Sequence, residues 1–245
     1  MQQPTDEWFS TWFDSPYYHI LYRNRNQQEA QFFLDNLLTY LHPKPDARIM
    51  DLACGKGRHS VYLNSKGYDV TGVDLSEQSI AYAKQFENEK LHFEVHDMRN
   101  PYKDCCFDFI LNLFTSFGYF ETETENVVAL RAAADSLKHG GKMVIDFLNT
   151  PVAISNLVHA ETKAIDGITF NITRSVENGF IVKTIAFSDK GQDYKFEERV
   201  RALTEADFRE YFSMINLRLA EIFGDYQLNP FDAEKSERMI FILKK

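Results

Sequence analysis

Residues 49–59 read "IMDLACGKGRH". A short apolar run ends in an acid, Asp51, and a small-residue, glycine-rich turn follows before a helical pattern begins. Such a strand–turn–helix junction is where an open α/β sheet binds ligands, beyond the C-terminal ends of its strands. Gly55 and Gly57 let the chain turn sharply and let a ligand come close without a Cβ in the way. The spacing Gly55-x-Gly57-x-x-Ser60 is an imperfect dinucleotide fingerprint, and Asp51 argues against one. A pyrophosphate wants only backbone N–H groups at the helix start, and a carboxylate would oppose it. A ligand presenting an ammonium would instead gain a charge-assisted partner. The plainer alternative is that Asp51 caps the turn.

Outward from this junction the pattern alternates. "RIMDL", "YDVTGVD", "LHFEV", "FDFILNL" and "KMVIDFL" read as strands. "GRHSVYLNSKG", "SEQSIAYAKQFENE" and "TENVVALRAAADSLKHGG" read as the helices between them, the last closed by its glycines. Strands alternating with helices imply a doubly wound, mostly parallel α/β sheet covered on both faces. Residues 160–201 change character. "ITFNITRSV", "FIVKTIAFS" and "YKFEERVRAL", separated by "ENG" and "DKGQD", predict an inserted antiparallel β meander. "TEADFREYFSMIN" then predicts a helix with Thr204 and Asp207 in capping-box positions, and "LRLAEIFGD" and "ERMIFILKK" two final antiparallel strands. Residues 1–40 form an aromatic helical cap, with Trp8/Trp12 and Phe9/Phe13 each four apart. The expected organisation is one domain over residues 1–245: cap 1–40, core 41–150 and 202–245, and β subdomain 160–201.

Composition bounds the chemistry. The 245 residues carry a net charge of −9, so a polyanionic nucleic-acid substrate is disfavoured. Three cysteines without CxxC spacing fit a reducing compartment rather than a disulfide framework. The acidic start lacks a signal-peptide pattern, and no run nears the roughly 20 apolar residues of a membrane span. A cytoplasmic protein with no membrane partner is expected.

Asp74 ends the second strand 19 residues after Gly55, where an acid can accept both ribose hydroxyls; it also opens a helix N-cap region. Asp97 and Met98 follow the third strand, placing an acceptor for an adenine amino group beside a soft packing surface. Asn112 and Leu113 end the fourth strand. An adenosine, a cation and an amino-acid tail together describe S-adenosylmethionine.

The combination resembles the class I S-adenosylmethionine-dependent methyltransferases, over roughly residues 40–150 and 202–245. The family's first motif is matched by Asp51, Ala53, Gly55 and Gly57, its acidic strand tip by Asp74 followed by Leu75, and its third acidic position by Asp97. The resemblance implies a Rossmann-like sheet of seven strands and a cofactor site that also includes Met98, Asn112 and Leu113. The meander and "YYHILYRNR" are similar to a subgroup acting on small molecules, including sugar N-methyltransferases, whose N-terminal segment covers the cofactor. By that resemblance Tyr18, Tyr22 and Arg25 line the pocket, Tyr18 and Arg25 at the cofactor and Tyr22 toward the acceptor, with plain core packing the alternative for Tyr22. Tyr18, Phe117 and Tyr119 are aromatic faces for a sulfonium or ordinary packing, with Tyr119 expected on the acceptor side. The "GDYQLNPFD" loop either rims the acceptor pocket through Tyr226 or Phe231 or is a wide turn.

The resemblance implies methyl transfer to an amine or hydroxyl of a small molecule. No spacing nominates a catalytic residue; His19 is the candidate base for a hydroxyl acceptor. His92, Glu94 and His96 share a strand face, and a solvent-facing edge explains them better than zinc. An aminopropyltransferase would need acids near "NLFTSFGYF", where Glu121, Glu123 and Glu125 lie close; an NAD enzyme is opposed by Asp51. A non-catalytic cofactor-binding module, docking through the meander, is the third alternative. The exposed meander is also the candidate surface for a homodimer.

Overall fold

The computed structural model describes residues 7–23 and 27–245. Arg25 lies outside the described residues. Two short helices, α1 (Trp8–Phe13) and α2 (Pro16–Leu21), precede the longer α3 (Gln27–Leu41). The alternating core follows as β1 (Arg48–Leu52), α4 (Arg58–Ser65), β2 (Asp69–Asp74), α5 (Glu77–Ala83) with a 3-10 turn Lys84–Phe86, β3 (Leu91–Val95), β4 (Phe107–Asn112), α6 (Glu123–Ser136) and β5 (Leu137–Leu148). After α7 (Thr150–Ser155) comes the meander: β6 (Ala160–Ile165), β7 (Ile168–Glu177), β8 (Phe180–Asp189) and β9 (Gln192–Arg201). Helix α8 (Glu205–Ser213) leads to β10 (Arg218–Phe223) and β11 (Arg238–Lys244).

The seven-stranded sheet has the order β10-β11-β5-β4-β1-β2-β3. β3, β2, β1, β4 and β5 run parallel, and β11 pairs antiparallel with both β5 and β10. Strand order reverses between β1 and β4, which opens a crevice above their C-terminal ends. Apolar side chains on both faces explain the near-continuous burial of β1, β4 and β11. One face packs Phe33, Leu37, Leu63 and Ile80 from α3, α4 and α5; the other packs Leu130, Ala133, Phe208 and Phe212 from α6 and α8. Both α6 and α8 start in complete capping boxes, Thr122 with Glu125 and Thr204 with Asp207.

Three expectations are corrected. The glycines of "LKHGG" do not close α6, which ends at Ser136; they form a bulge in β5, where Phe107 pairs with Leu137 but Phe109 with Lys142. The meander has four strands: "AETKAI" adds β6, an exposed edge without alternating apolar residues. The 1–40 cap divides, because α3 lies in the core against the sheet while α1 and α2 pack on the meander, with Phe9 of α1 reaching the core on the opposite sheet face.

Every meander turn is a two-residue loop ending in glycine. Asp166-Gly167, Asn178-Gly179 and Lys190-Gly191 all take positive φ, the primed geometry that matches strand twist. One meander face, with Phe170, Ile172, Ile185 and Phe187, buries Trp12 and Leu21 of α1 and α2. Trp12 lies 4.5 Å from the Phe196 ring, and the Tyr17 hydroxyl donates to Asp189 at 2.8 Å. Among the described residues no helix is long and apolar enough to cross a membrane.

Candidate cofactor and acceptor site

A cavity of about 530 Å³ fills the crevice above β1 and β4, under a lid made by α1 and α2. Its floor is the turn of the opening motif. Ala53, Gly55 and Gly57 all take positive φ there, and the Gly55 amide donates to Asp74 Oδ2 at 2.8 Å. Asp74 Oδ1 accepts from Ser76 N at 2.9 Å, and Ser76 in turn caps α5. Asp74 therefore ties β2 to the glycine turn while its carboxylate stands in the cavity wall beside Leu75. Burial raises its pKa.

Asp51 is placed differently from the expectation. It is 1% exposed and absent from the cavity wall. The Ser60 hydroxyl donates to it at 2.6 Å, beneath the turn. The carboxylate at the mouth of the motif is a loop anchor, close to the plainer alternative. Burial lifts its pKa from 3.8 to about 6. Stability from the protonated form is fully present below the unfolded value near 3.8 and lost as pH rises through about 6. Asp51→Asn should therefore be more stable than wild type above that range, by up to ~3 kcal/mol at roughly 1.4 kcal/mol for each tenfold change in proton affinity. The two melting curves should converge near pH 4; a constant offset across pH would remove this account of Asp51.

Gly57 and Asn112 also lie behind the wall. Gly57 is the N-cap of α4 and sits against Phe93. Asn112 is buried, and its amide donates to the carbonyls of Leu52 and Ser116. Leu113, next along the chain, does line the cavity. Tyr226 also lies outside the wall: it stacks on Phe33 at 4.4 Å with its hydroxyl 3.4 Å from Asp146. Phe114, which is in the wall, lies 5.3 Å from its ring.

Asp97 and Met98 lie together in the wall. Burial alone would raise the Asp97 carboxyl, but Arg99 outweighs it and holds its pKa below the usual range. Arg99 Nη2 lies 2.6 Å from Asp97 Oδ2, and its Nε reaches both oxygens. The same guanidinium grips Glu7, at the start of α1, at 2.6 and 2.8 Å, and Glu125 at 3.1 Å. At the other end of α1, Asp14 accepts from Ser76 Oγ at 2.7 Å and Gln78 N at 3.1 Å. The lid is thus latched at both ends to the loops that carry Asp74 and Asp97. The sequence offered no signal for this beyond an arginine two residues past Asp97. Since both tryptophans of the chain, Trp8 and Trp12, are in α1, the lid carries its own fluorescent reporter. Glu7→Gln, which leaves the Asp97–Arg99 pair intact, should speed S-adenosylhomocysteine release about five- to tenfold, the equivalent of ~1–1.4 kcal/mol for one charged contact. Stopped-flow tryptophan fluorescence measures it, and an unchanged rate would show the latch to be inert.

The wall beneath and along the lid carries a run of aromatic rings, Phe9, Phe13, Tyr18, Tyr22, Tyr119 and Phe120, with His19 beside them. Tyr119 is 5.3 Å from Trp8 and 5.4 Å from Phe13, so lid and body meet through these rings. Phe114 and Thr115, φ 57° and 59°, are strained non-glycine residues. They are held from below by Asp146, which accepts from Phe114 N at 2.7 Å, and by Arg238, which bonds both Asp146 and Thr115. Asp146 is fully buried inside β5, where its role could not be read from "KMVIDFL".

The wall fits S-adenosylmethionine. A Cβ on Gly55 would meet nothing within 4 Å, so the turn leaves open space where a ligand can lie against backbone. Asp74 offers acceptors for a diol, and Met98 and Leu75 offer apolar faces. Asn112 Oδ1 is a buried acceptor without a donor among the described residues, beside the Leu113 end of the wall.

Residues 49–141 match the methyltransferase domain family. The dTDP-3-amino-3,4,6-trideoxy-alpha-D-glucopyranose N,N-dimethyltransferase of Streptomyces venezuelae is 26% identical over 217 residues, covering 84% of this chain and 91% of that protein. Among solved structures, the CcbJ methyltransferase of Streptomyces caelestis superposes with a TM-score of 0.78 at 16% identity, over 98% of each chain. An S-adenosylmethionine-dependent methyltransferase of Clostridium acetobutylicum gives 0.77 at 20% identity, over 93% of this chain and 96% of its own. With the domain matched around the glycine turn and the fold shared from lid to last strand, the chain carries a methyltransferase domain over residues 49–141 and has the fold of S-adenosylmethionine-dependent methyltransferases.

Proposed function

We propose that the protein methylates the amino group of a small molecule, with an amino sugar carried on a nucleotide as the acceptor class best supported. The observation that carries the reading is the lidded cavity. Its ~530 Å³ falls within the range of small-molecule sites, about 300–1,000 Å³, and its roof is part of the same chain. The Streptomyces venezuelae relative, aligned over most of both chains, acts on such a sugar by its name.

In this reading Asp74 takes the ribose, Asp97 and Met98 the adenine, and the Ala53–Gly55 turn and Leu75 the connecting backbone. Leu113 and Tyr18 flank the methionine end, and Arg25 is assigned there from the sequence alone. Tyr22 and Tyr119 face the acceptor. The sulfonium supplies an already activated methyl group. The chain's part is to hold the nucleophile in line, exclude water and handle the acceptor's proton; positioning of this kind is worth roughly 7–11 kcal/mol in favourable cases. The three free thiols suit a reducing cytoplasm, and the exposed β6 edge is the contact we assign to a homodimer.

The test is to incubate the protein with S-adenosylmethionine and a panel of amino-sugar nucleotides, their hydroxyl counterparts and free amino acids. Mass spectrometry should find one or two added methyl groups on nitrogen of the amino-sugar nucleotide. Methylation confined to oxygen or to free amino acids would overturn the acceptor class.

A further inference from the structure

Tyr22 is the point where the meander reaches the cavity. Among the described residues the cavity wall takes none from β6–β9, yet Tyr22 of the wall is held by two of these strands. Its hydroxyl donates to Glu198 on β9, 2.6 Å from Oε1 and 2.9 Å from Oε2. It also lies against the ammonium of Lys183 on β8. Lys183 Nζ is 3.3 Å from Glu198 Oε2 and 4.5 Å from the centre of the Tyr22 ring. Trp12 Nε1 donates to Glu198 Oε1 at 2.7 Å. The Lys183 and Glu198 side chains are only 14% and 16% exposed. A pair so far from water is weak evidence for stability; what it does is fix where a phenolic oxygen points and what it can pass on.

Methyl transfer to nitrogen needs a free electron pair. Lysine's ammonium has a pKa of ~10.4; the neighbouring oxygens of a sugar lower that of an amino sugar, yet below its pKa the protonated, non-nucleophilic form is still in excess. The acceptor must lose a proton inside a lidded cavity. We propose that Tyr22 takes that proton and hands its own to Glu198, with Lys183 positioning the phenolic oxygen; this rests on the methyl-transfer reading above. One acceptor N–H bond breaks and its electron pair stays on nitrogen as the nucleophile. The proton forms a new O–H bond on Tyr22 as the original Tyr22 proton bonds to a Glu198 oxygen. Ammonium and carboxylate thereby become amine and carboxylic acid. Glu198 returns its proton to water through its exposed edge, one per methyl group.

Other titratable groups line the same cavity: His19, Arg58, His59 and Arg23, the last paired with Asp166. Behind Lys183 lie Arg174 and Lys163, each paired with Glu161. Burial lowers the Lys183 pKa, opposed by Glu198.

The experiment compares wild type, Tyr22→Phe, Glu198→Gln and Lys183→Met, all with an amino-sugar nucleotide, by kcat/KM between about pH 6 and about pH 10. Wild type should be level across neutral pH. Tyr22→Phe and Glu198→Gln should fall furthest at about pH 6, by about tenfold for each pH unit below the amine's own pKa, and recover as pH approaches it. A purely structural role would lower the rate by one factor at every pH, and that result, or a level Glu198→Gln profile, overturns the proposal. If wild type leaves the amine untouched, the acceptor reading fails by itself. The relay is then judged by NMR of protein isotope-labelled at tyrosine Cζ. The Tyr22 signal should shift with Glu198 ionisation and lose that step in Glu198→Gln; a signal blind to Glu198 overturns it.

Discussion

Asp74→Ala is expected to bind S-adenosylhomocysteine at least ~100-fold more weakly than wild type, measured as Kd by calorimetry. Its carboxylate accepts from Gly55 N and Ser76 N and still faces the cavity. Removing it leaves two backbone donors of the turn without a partner and takes away the acceptors for a ribose diol. Hydrogen bonds to a charged group contribute about 1.5–3 kcal/mol each, and ~3 kcal/mol is already more than 100-fold. Asp51→Ala provides the contrast. Asp51 touches Ser60 rather than the cavity, so its loss should move Kd less than about tenfold, the factor of ~1.4 kcal/mol, and act mainly on melting. If the two substitutions weaken binding equally, the division of labour between anchor and ligand acid is wrong.

Gly57→Ala is expected to cost about 2–4 kcal/mol of stability. A Cβ there would lie 2.6 Å from two atoms of the Phe93 ring, which is itself 1% exposed and has nowhere to go. The φ of 78° adds the left-handed penalty of roughly 1–2 kcal/mol, and overpacking a filled core typically adds about 1–3 kcal/mol. Urea denaturation measures the loss. Gly55→Ala is the matched control, strained by its φ of 54° but with no clash, and should lose stability by the smaller amount while obstructing the cavity. Equal destabilisation by both would mean that Phe93 gives way.

These two glycines show what the sequence could and could not convey. The motif announced a ligand turn because strand, small residues and glycines are local features. Which glycine faces the ligand and which faces Phe93 depends on how α4 settles against β2 and β3, and that is tertiary. The parallel strands were legible because burial on both faces writes continuous apolar runs. Strand β6 was not, since "AETKAI" is paired on one side only and buries little. The burial of Asp51 could not be read because a buried acid and a ligand-binding acid look alike one residue at a time. The stacking of Tyr226 could not be read because its partner, Phe33, is nearly two hundred residues away. The latch through Glu7, Asp14 and Arg99 joins segments so distant that no spacing rule relates them.

The third hydrophobic cluster has a practical consequence. Trp12 and Leu21 share a core with Ile168, Phe170, Ile172, Ile185 and Phe187, separate from the two cores that flank the sheet. Segments 7–23 and 160–201 therefore share one core, split in sequence but single in space, which α1 also ties to the main core through Phe9. Grafting either segment alone from another methyltransferase would cut through a core and sever the Tyr22–Glu198 contact. Grafting both together would keep this core and the Tyr22–Glu198 contact, and would have to rebuild the packing of Phe9 and the Glu7 and Asp14 latches on the foreign platform.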